Sequence, residues 1–387
     1  MTRRVLVVIV LGLVAAACGS PSVRPSVTAV ASATPAPTAT ATPTPSPSPP
    51  SLDVSPLIPE LSAGGGLDLL QENGTTAFSF PASKAFELFS PFGNAFLAAP
   101  VVNSTPTSIV AIQPDGSLQT LQPVTGTEAS TGVAGALDGH AWAWLSGTSY
   151  SSPCNNGVST GTLDMQTPTS QPAVVAALPA GGATTAWSLG GWAGGDLWVV
   201  EDTGCPNTGT GTTAAFIVRD GSTTLTPVQS ALGTGCRLTA VALDGSMLCV
   251  VQPAKPTTKW RFVAADGASQ DFSAASLPSL CAGHGTVGDF EGFALSVDGQ
   301  YISVDAGCKT SAARFDQLFI ISTATGTAKV VESPTYLAAD SWLPDDALLC
   351  VDLGNPSAAH SYLVTPAGAV TPLGTGEATW ATTDVEW

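Results

Sequence analysis

Short apolar runs alternate with tight Gly- or Asp-containing turns through most of this chain, and the alternation repeats about every fifty residues. The clearest copies are ALDGHAWAWL, turning at Asp138-Gly139, ALDGSMLCVV at Asp244-Gly245 and ALSVDGQYISV at Asp298-Gly299. Looser copies turn at Gly93-Asn94, Gly194-Gly195 and Asp345-Asp346. A second hairpin follows downstream, as in SIVAIQPDGSLQTLQPV, AAFIVRDGSTTLTPV, KWRFVAADGASQDFSA, LFIISTATGTAKVVE and SYLVTPAGAVTPL. The runs are rich in Val, Ile, Leu, Trp and Phe, helical periodicity is nearly absent, and Pro and Gly fall at turn spacing. Four short antiparallel strands per repeat predict an all-β fold, a β-propeller of four-stranded blades.

Successive first turns lie 45, 56, 50, 54 and 47 residues apart, counted from Asn94 through Gly139, Gly195, Gly245 and Gly299 to Asp346. Six blades are therefore expected to begin near Ala85, Val133, Ala186, Leu238, Phe293 and Ser341. Two remnants are left over: GLDLLQENGTTAFSF at 66–80 reads as an outer hairpin without its inner one, and EATWATTDVEW at 377–387 as an inner strand with little after it. Joined, they make a seventh blade that closes the ring and removes its open edges. Six blades with decorated ends is the alternative. Trp142 and Trp144 alternate in one strand, and Trp198, Trp260 and Trp342 sit in similar runs, so aromatic packing between blades is expected for most of the tryptophans.

Antiparallel strands place the inner and outer hairpin turns of a blade on one face, and the loop joining the two hairpins on the other. From inner to outer turn the spacing is 22 residues in three blades (94 to 116, 245 to 267, 346 to 368). It is 29, 26 and 27 in the others (139 to 168, 195 to 221, 299 to 326). Each longer blade carries a cysteine in the added stretch, Cys154, Cys205 or Cys308, and Cys236 and Cys281 lie in connections on that same face. Disulfides Cys281–Cys308 and Cys205–Cys236 are expected, with Cys154–Cys205 a rival. Cys249 and Cys350, in equivalent second strands, are expected to be buried and unpaired. Insertions on one face of a repeat fold often mark its binding face.

The first fifty residues are not part of that fold. Arg3 and Arg4, an apolar run from Val5 to Val14 and Ala15-Ala16-Ala17 before Cys18 read as a signal peptide, 1–18, too short to span a bilayer. Residues 19–50 are Ser, Thr, Ala, Val and Pro with one charge, Arg24, and are expected to form an extended, disordered linker. The domain, 51–387, holds all 29 acidic side chains against 9 of the 12 Lys and Arg. That balance argues against nucleic acid as a partner, since phosphate binding needs clustered cations.

Candidate chemistry is sparse. His284 lies in the Gly-rich CAGHGTVGDFEGF with Asp289 and Glu291 close by, the one stretch where an imidazole and carboxylates converge for a metal or for acid–base work. His140 and His360 read as structural. No phosphate loop, zinc motif or nucleophile elbow is present in the sequence, and no cofactor is expected; calcium is the one ion the Asp-Gly turns suggest.

Ala-Ala-Ala-Cys-Gly-Ser, with Cys18 as the lipidated residue, resembles a bacterial lipobox, although Ala15 stands where Leu is usual. Through LSVDGQYISV, ALDGSMLCVV and ALDGHAWAW the repeats resemble bacterial TolB-type, WD-repeat-like propellers, over roughly a third of the domain. The Pro usual before Asp-Gly is missing, as Val297 and Leu243 show. That resemblance implies a scaffold for protein contacts; with the tether, the closed ring and the absence of a catalytic set, the expectation is an exported, lipid-anchored, monomeric propeller at the cell envelope that binds a protein or glycan without catalysis. The alternative is a propeller hydrolase or lyase using carboxylates and His284 near the channel mouth.

Overall fold

The structure is a computed structural model. The structure describes residues 57–61, 66–102, 105–123, 132–151, 156–180, 185–193, 195–204, 212–219, 222–228, 236–251, 259–273, 286–309, 314–333, 335–352 and 360–378. Among them there is no helix; every regular element is a strand, and every pairing is antiparallel. Residues 1–50, with the expected signal peptide and linker, lie outside the described residues.

The strands assemble into six sheets. Sheet A pairs Glu377–Ala378 with Ile58–Leu61, then Leu67–Leu70 and Thr76–Phe80. Sheet B runs Ala85–Phe92, Ala95–Val102, Ser108–Ile112 and Leu118–Pro123, with Thr105–Pro106 beside its second strand. Sheet C has eight strands: Val133–Gly135, Trp142–Ser151, Asn156–Gln166 and Ala173–Leu178, then Thr185–Ala193, Asp196–Thr203, Thr212–Val218 and Thr226–Pro227. Its halves meet through a single pair, Val158 with Trp187. Sheet D runs Arg237–Val241, Met247–Val250, Lys259–Val263 and Ser269–Ser273. Sheet E is Thr286–Leu295, Tyr301–Lys309, Arg314–Ser322 and Ala328–Val330. Sheet F is Leu337–Trp342, Leu348–Asp352, Ser361–Val364 and Val370–Gly374. This strict up-and-down order of four is what alternating apolar runs joined by two-residue turns produce.

Neighbouring sheets pack side by side. Moving from B to F, the first strand of each four-stranded unit touches the first strand of the next, so these strands crowd around a common axis. Leu243 N donates to Val297 O, tying the inner turn of D to that of E, and Gly93 lies against Gly139 between B and the first half of C. Sheet A meets F where Gly74 lies on the Leu373 carbonyl, and meets B where Gly116 lies on the Phe78 ring.

Tryptophan fills the seams. Trp142, Trp260 and Trp342 are fully buried, and Trp144 and Trp198 nearly so. Trp342 Nε1 donates across the E–F seam to Ala294 O at 3.3 Å, and Trp192 Nε1 donates to Ala134 O at 3.2 Å between the halves of C. Burying an indole removes some 200 Å² of apolar surface from water, so each seam gains a few kcal/mol from one side chain.

The cysteine pairing corrects the sequence expectation. Cys236 is bonded to Cys249, 13 residues on, so Cys236 forms no bridge with Cys205 and Cys249 is not a free thiol. Leu238 pairs with Cys249 across the inner hairpin of sheet D, which puts Cys236 diagonally opposite at a Cα–Cα distance of 5.5 Å, inside disulfide reach. Cys350 is buried with a free thiol. Cys154, Cys205 and Cys281 lie outside the described residues, and Cys308 is placed only by its backbone, opposite Val287.

Candidate functional site

The first strands share a feature that no repeat-level pattern announces. Five of them carry β-bulges, with extra residues at Phe89, Gly190, Thr239 and Asp340 and, in sheet E, at both Gly288 and Glu291. A bulge bends its strand and re-aims the side chain at that point, and bulges concentrate where a fold presents groups to a ligand. At the second bulge of E and at the bulge of F the extra residue is acidic, Glu291 and Asp340.

Of the three residues singled out in the sequence, His284 lies outside the described residues. Asp289 and Glu291 both fall on the first strand of sheet E, Asp289 opposite Gly307 and Glu291 at the bulge between Phe290 and Gly292. The same set of first strands places Glu87 in B, Asp340 in F and Glu377 in A. Partial desolvation raises the Glu87 carboxyl from its ordinary value. Asp340 accepts from Ser341 Oγ at 2.8 Å. Asp305, on the second strand of E and 7% exposed, accepts the Ala339 amide of F at 3.0 Å and so stitches the two sheets together. Among the described residues no group of three or more His, Cys, Asp and Glu is arranged to hold a metal ion.

The opposite end of the sheets carries the second candidate. The three blades with longer inter-turn spacing do not spend the extra residues on loops alone. They prolong their second and third strands into ribbons: Trp142–Ser151 pairs with Asn156–Gln166, Asp196–Thr203 with Thr212–Val218, and Tyr301–Lys309 with Arg314–Ser322. In sheets D and F the corresponding strands are four or five residues long. Strand direction sends all three ribbons to the face away from the inner turns. The first ribbon crosses its neighbour closely at Gly157, where an added Cβ would lie 2.2 Å from Trp187 O. Its side chains include Thr148, Ser159 and Thr160, and Ser159 Oγ donates to Thr148 O at 3.2 Å.

The inner-turn face holds a histidine–carboxylate contact. His140 Nδ1 bonds Asp138 Oδ1, and the imidazole sits edge-on to Trp192 with ring centres 5.1 Å apart. Asp138 also caps its own turn by accepting the His140 amide, so the pair closes a hairpin.

No protein-family model matches the chain, and no curated protein matches it in sequence. Among solved structures it is similar to a prolyl endopeptidase, at 12% identity and a TM-score of 0.54, covering 82% of this chain and 50% of that one. It is also similar to oligogalacturonate lyase in complex with manganese, at 12% identity and a TM-score of 0.52, covering 83% of this chain and 85% of the other. TolB from Acinetobacter baumannii superposes at a TM-score of 0.39 and 11% identity over 83% of this chain and 80% of its own, too loosely to argue from. The chain spans about half the length of the prolyl endopeptidase it matches. At such identities the likeness speaks for the fold alone: this chain is a β-propeller of antiparallel sheets built from four-stranded units.

Proposed function

We propose that the protein is an exported, lipid-anchored β-propeller that binds a protein or glycan at the bacterial cell envelope and is not itself a catalyst. The observation that carries this reading is the set of three prolonged ribbons on one face. Strand pairing holds them, and the sequence between their paired strands is rich in Ser, Thr, Asn, Ala and Gly, the kind of same-face extension on which repeat folds build a recognition surface. Cys18 is the lipid attachment point in this reading, and residues 19–50 are the tether, reaching roughly 100 Å when extended. The ring has seven blades. The single Val158–Trp187 pair supports splitting sheet C into two, and the A–B and F–A contacts support a closed circle.

A second reading, a hydrolase or lyase acting in the channel, draws on Asp289 and Glu291 lying on one inner strand with Glu291 at its bulge. The full-length protein, incubated with an envelope fraction and cross-linked, is expected to capture a partner. A variant whose first ribbon is shortened to a two-residue turn is expected to lose that partner while keeping its thermal transition. Turnover of a chromogenic glycoside or ester panel that disappears in Glu291→Gln would replace the first reading by the second.

A further inference from the structure

The first strand of each four-stranded unit is the edge of that unit, and among the described residues one such edge is filled by a strand of the neighbouring unit. Trp187, on the first strand of the second half of C, pairs with Glu201 on one side and with Val158 on the other. Val158 belongs to the first ribbon. The ribbon thus lays a short piece of itself along the next unit in antiparallel register, as an added strand would lie.

The seat is selective and the occupant is jointed. A Cβ at position 157 would overlap the Trp187 carbonyl, so the residue that passes there is glycine. Val158 follows it, 1% exposed, in the core cluster with Leu145, Leu163 and Trp187. Trp187 is itself fixed: Nε1 donates to Pro179 O at 3.3 Å, and its ring lies against Phe216 with centres 5.5 Å apart. The ribbon on this seat shifts register between Thr148 and Ser149, with Ser159 the extra residue on the opposite strand. Beside that bulge Gly147 pairs with Gly161, and neither position has room for a Cβ. The other two ribbons keep one register throughout. A bulge next to a glycine pair is a pivot, because the ladder is interrupted where the backbone is least restrained.

We propose that the strand edge at Trp187 is a strand-addition site for an extended peptide segment of a partner, and that Gly157-Val158 is the chain's own placeholder in it. The segment that fits carries glycine over the Trp187 carbonyl and a β-branched apolar residue next, to fill the position of Val158. Uncharged or basic flanks suit a domain with 29 acidic side chains against 9 Lys and Arg. This goes beyond the recognition reading above, which concerns the outward surface of the ribbons; the seat lies beneath the first of them. A placeholder tethered by its own chain competes at a high effective concentration, so the site stays shut to segments that fit it poorly.

The probe is a fluorescein-labelled peptide copying residues 155–161, Asn-Asn-Gly-Val-Ser-Thr-Gly, added to the full-length protein. By anisotropy it is expected to bind Gly157→Val, whose ribbon cannot seat, about ten-fold or more tighter than the unsubstituted chain. A peptide with valine in place of its glycine is expected to bind neither protein. In the unsubstituted protein saturated with the first peptide, hydrogen exchange should speed up over 156–160 while 185–189 stays protected, because one strand replaces another on the same edge. That measurement holds whether or not Gly157→Val folds. Failure of the peptide to bind either protein, equal affinity for both, or equal binding of the valine peptide would each overturn the proposal. So would unchanged exchange over 156–160 with peptide bound. None of these readouts uses the envelope fraction, so the ribbon-surface reading stands or falls separately.

Discussion

Sheets A and D face the same problem, keeping a first strand seated against the axis, and solve it by opposite means. In D the four strands follow one another along the chain, and a disulfide between Cys236 and Cys249 staples the inner hairpin across 13 residues. In A the first strand, Glu377–Ala378, reaches its partner Ile58–Leu61 from the far end of the chain, and the contact of Gly376 with Glu60 spans 316 residues. Closing the longer loop costs roughly 3 kcal/mol more than closing the shorter one. That deficit is met by buried polar contacts in place of a covalent bond. Glu60, 4% exposed, accepts the Gly376 amide. Ser361, reaching over from F, donates to Gly376 O at 2.8 Å and accepts from Ala378 N at 2.7 Å. The local sheet is held by chemistry and the distant one by the accumulated hydrogen bonds of its neighbours.

The sharpest way to break this comparison is to end the chain after Thr375. Sheet A then keeps three strands and opens an edge beside F, while D is untouched. We expect a loss beyond about 4 kcal/mol in urea unfolding, the range reserved for failures of a whole element. Hydrogen exchange should rise first over 58–61 and 361–364 and last over 237–263. A truncated protein as stable as the full chain would show that A adds nothing to closure.

The staple in D is next. Replacing Cys236 and Cys249 together by alanine is expected to cost about 3 kcal/mol, the chain-entropy value for a loop of this size. The effect should be confined to D and its two seams, where both cysteines sit in the core with Trp198 and Met247. A loss spread evenly over all sheets would mean that the ring, not the hairpin, feels the bond.

How much of this was legible in the sequence follows the same divide between local and distant. Period-two apolar runs and Asp-Gly turns are local signals, and they placed the four-stranded units well. The segment Ile58-Pro-Glu-Leu was missed as the second strand of A, because four residues holding a proline and a glutamate read as loop until a partner 316 positions away is supplied. The ribbons were read as loops for a related reason. Runs such as SGTSYSS and NGVSTGT lack apolar alternation, and their strand character comes from backbone pairing. The Cys236–Cys249 bond escaped because spacing counts assigned Cys236 to a connection and Cys249 to an unpaired core site. Their diagonal contact depends on a register shifted at Thr239. Bulges at Glu291 and Asp340 have no sequence signature at all, so the acidic residues were visible while their placement on inner strands was not.

The finest test of the comparison touches a single hydroxyl. Ser361 is wholly buried and acts as donor and acceptor to the same distant segment, so alanine there removes two hydrogen bonds and adds no bulk. The Gly376 carbonyl and the Ala378 amide are then left without that partner, and a cost of about 1–3 kcal/mol is expected, mostly desolvation that nothing offsets. Threonine keeps the hydroxyl, so Ser361→Thr should recover most of the loss wherever its methyl fits. In the Cys236, Cys249 double-alanine background the Ser361→Ala cost should be unchanged, since distant, independent sites add within about 0.5 kcal/mol. Strong coupling between the two would instead mean that the staple in D and the polar clasp in A report on one cooperative ring, and that the local and the long-range solutions are not separate devices.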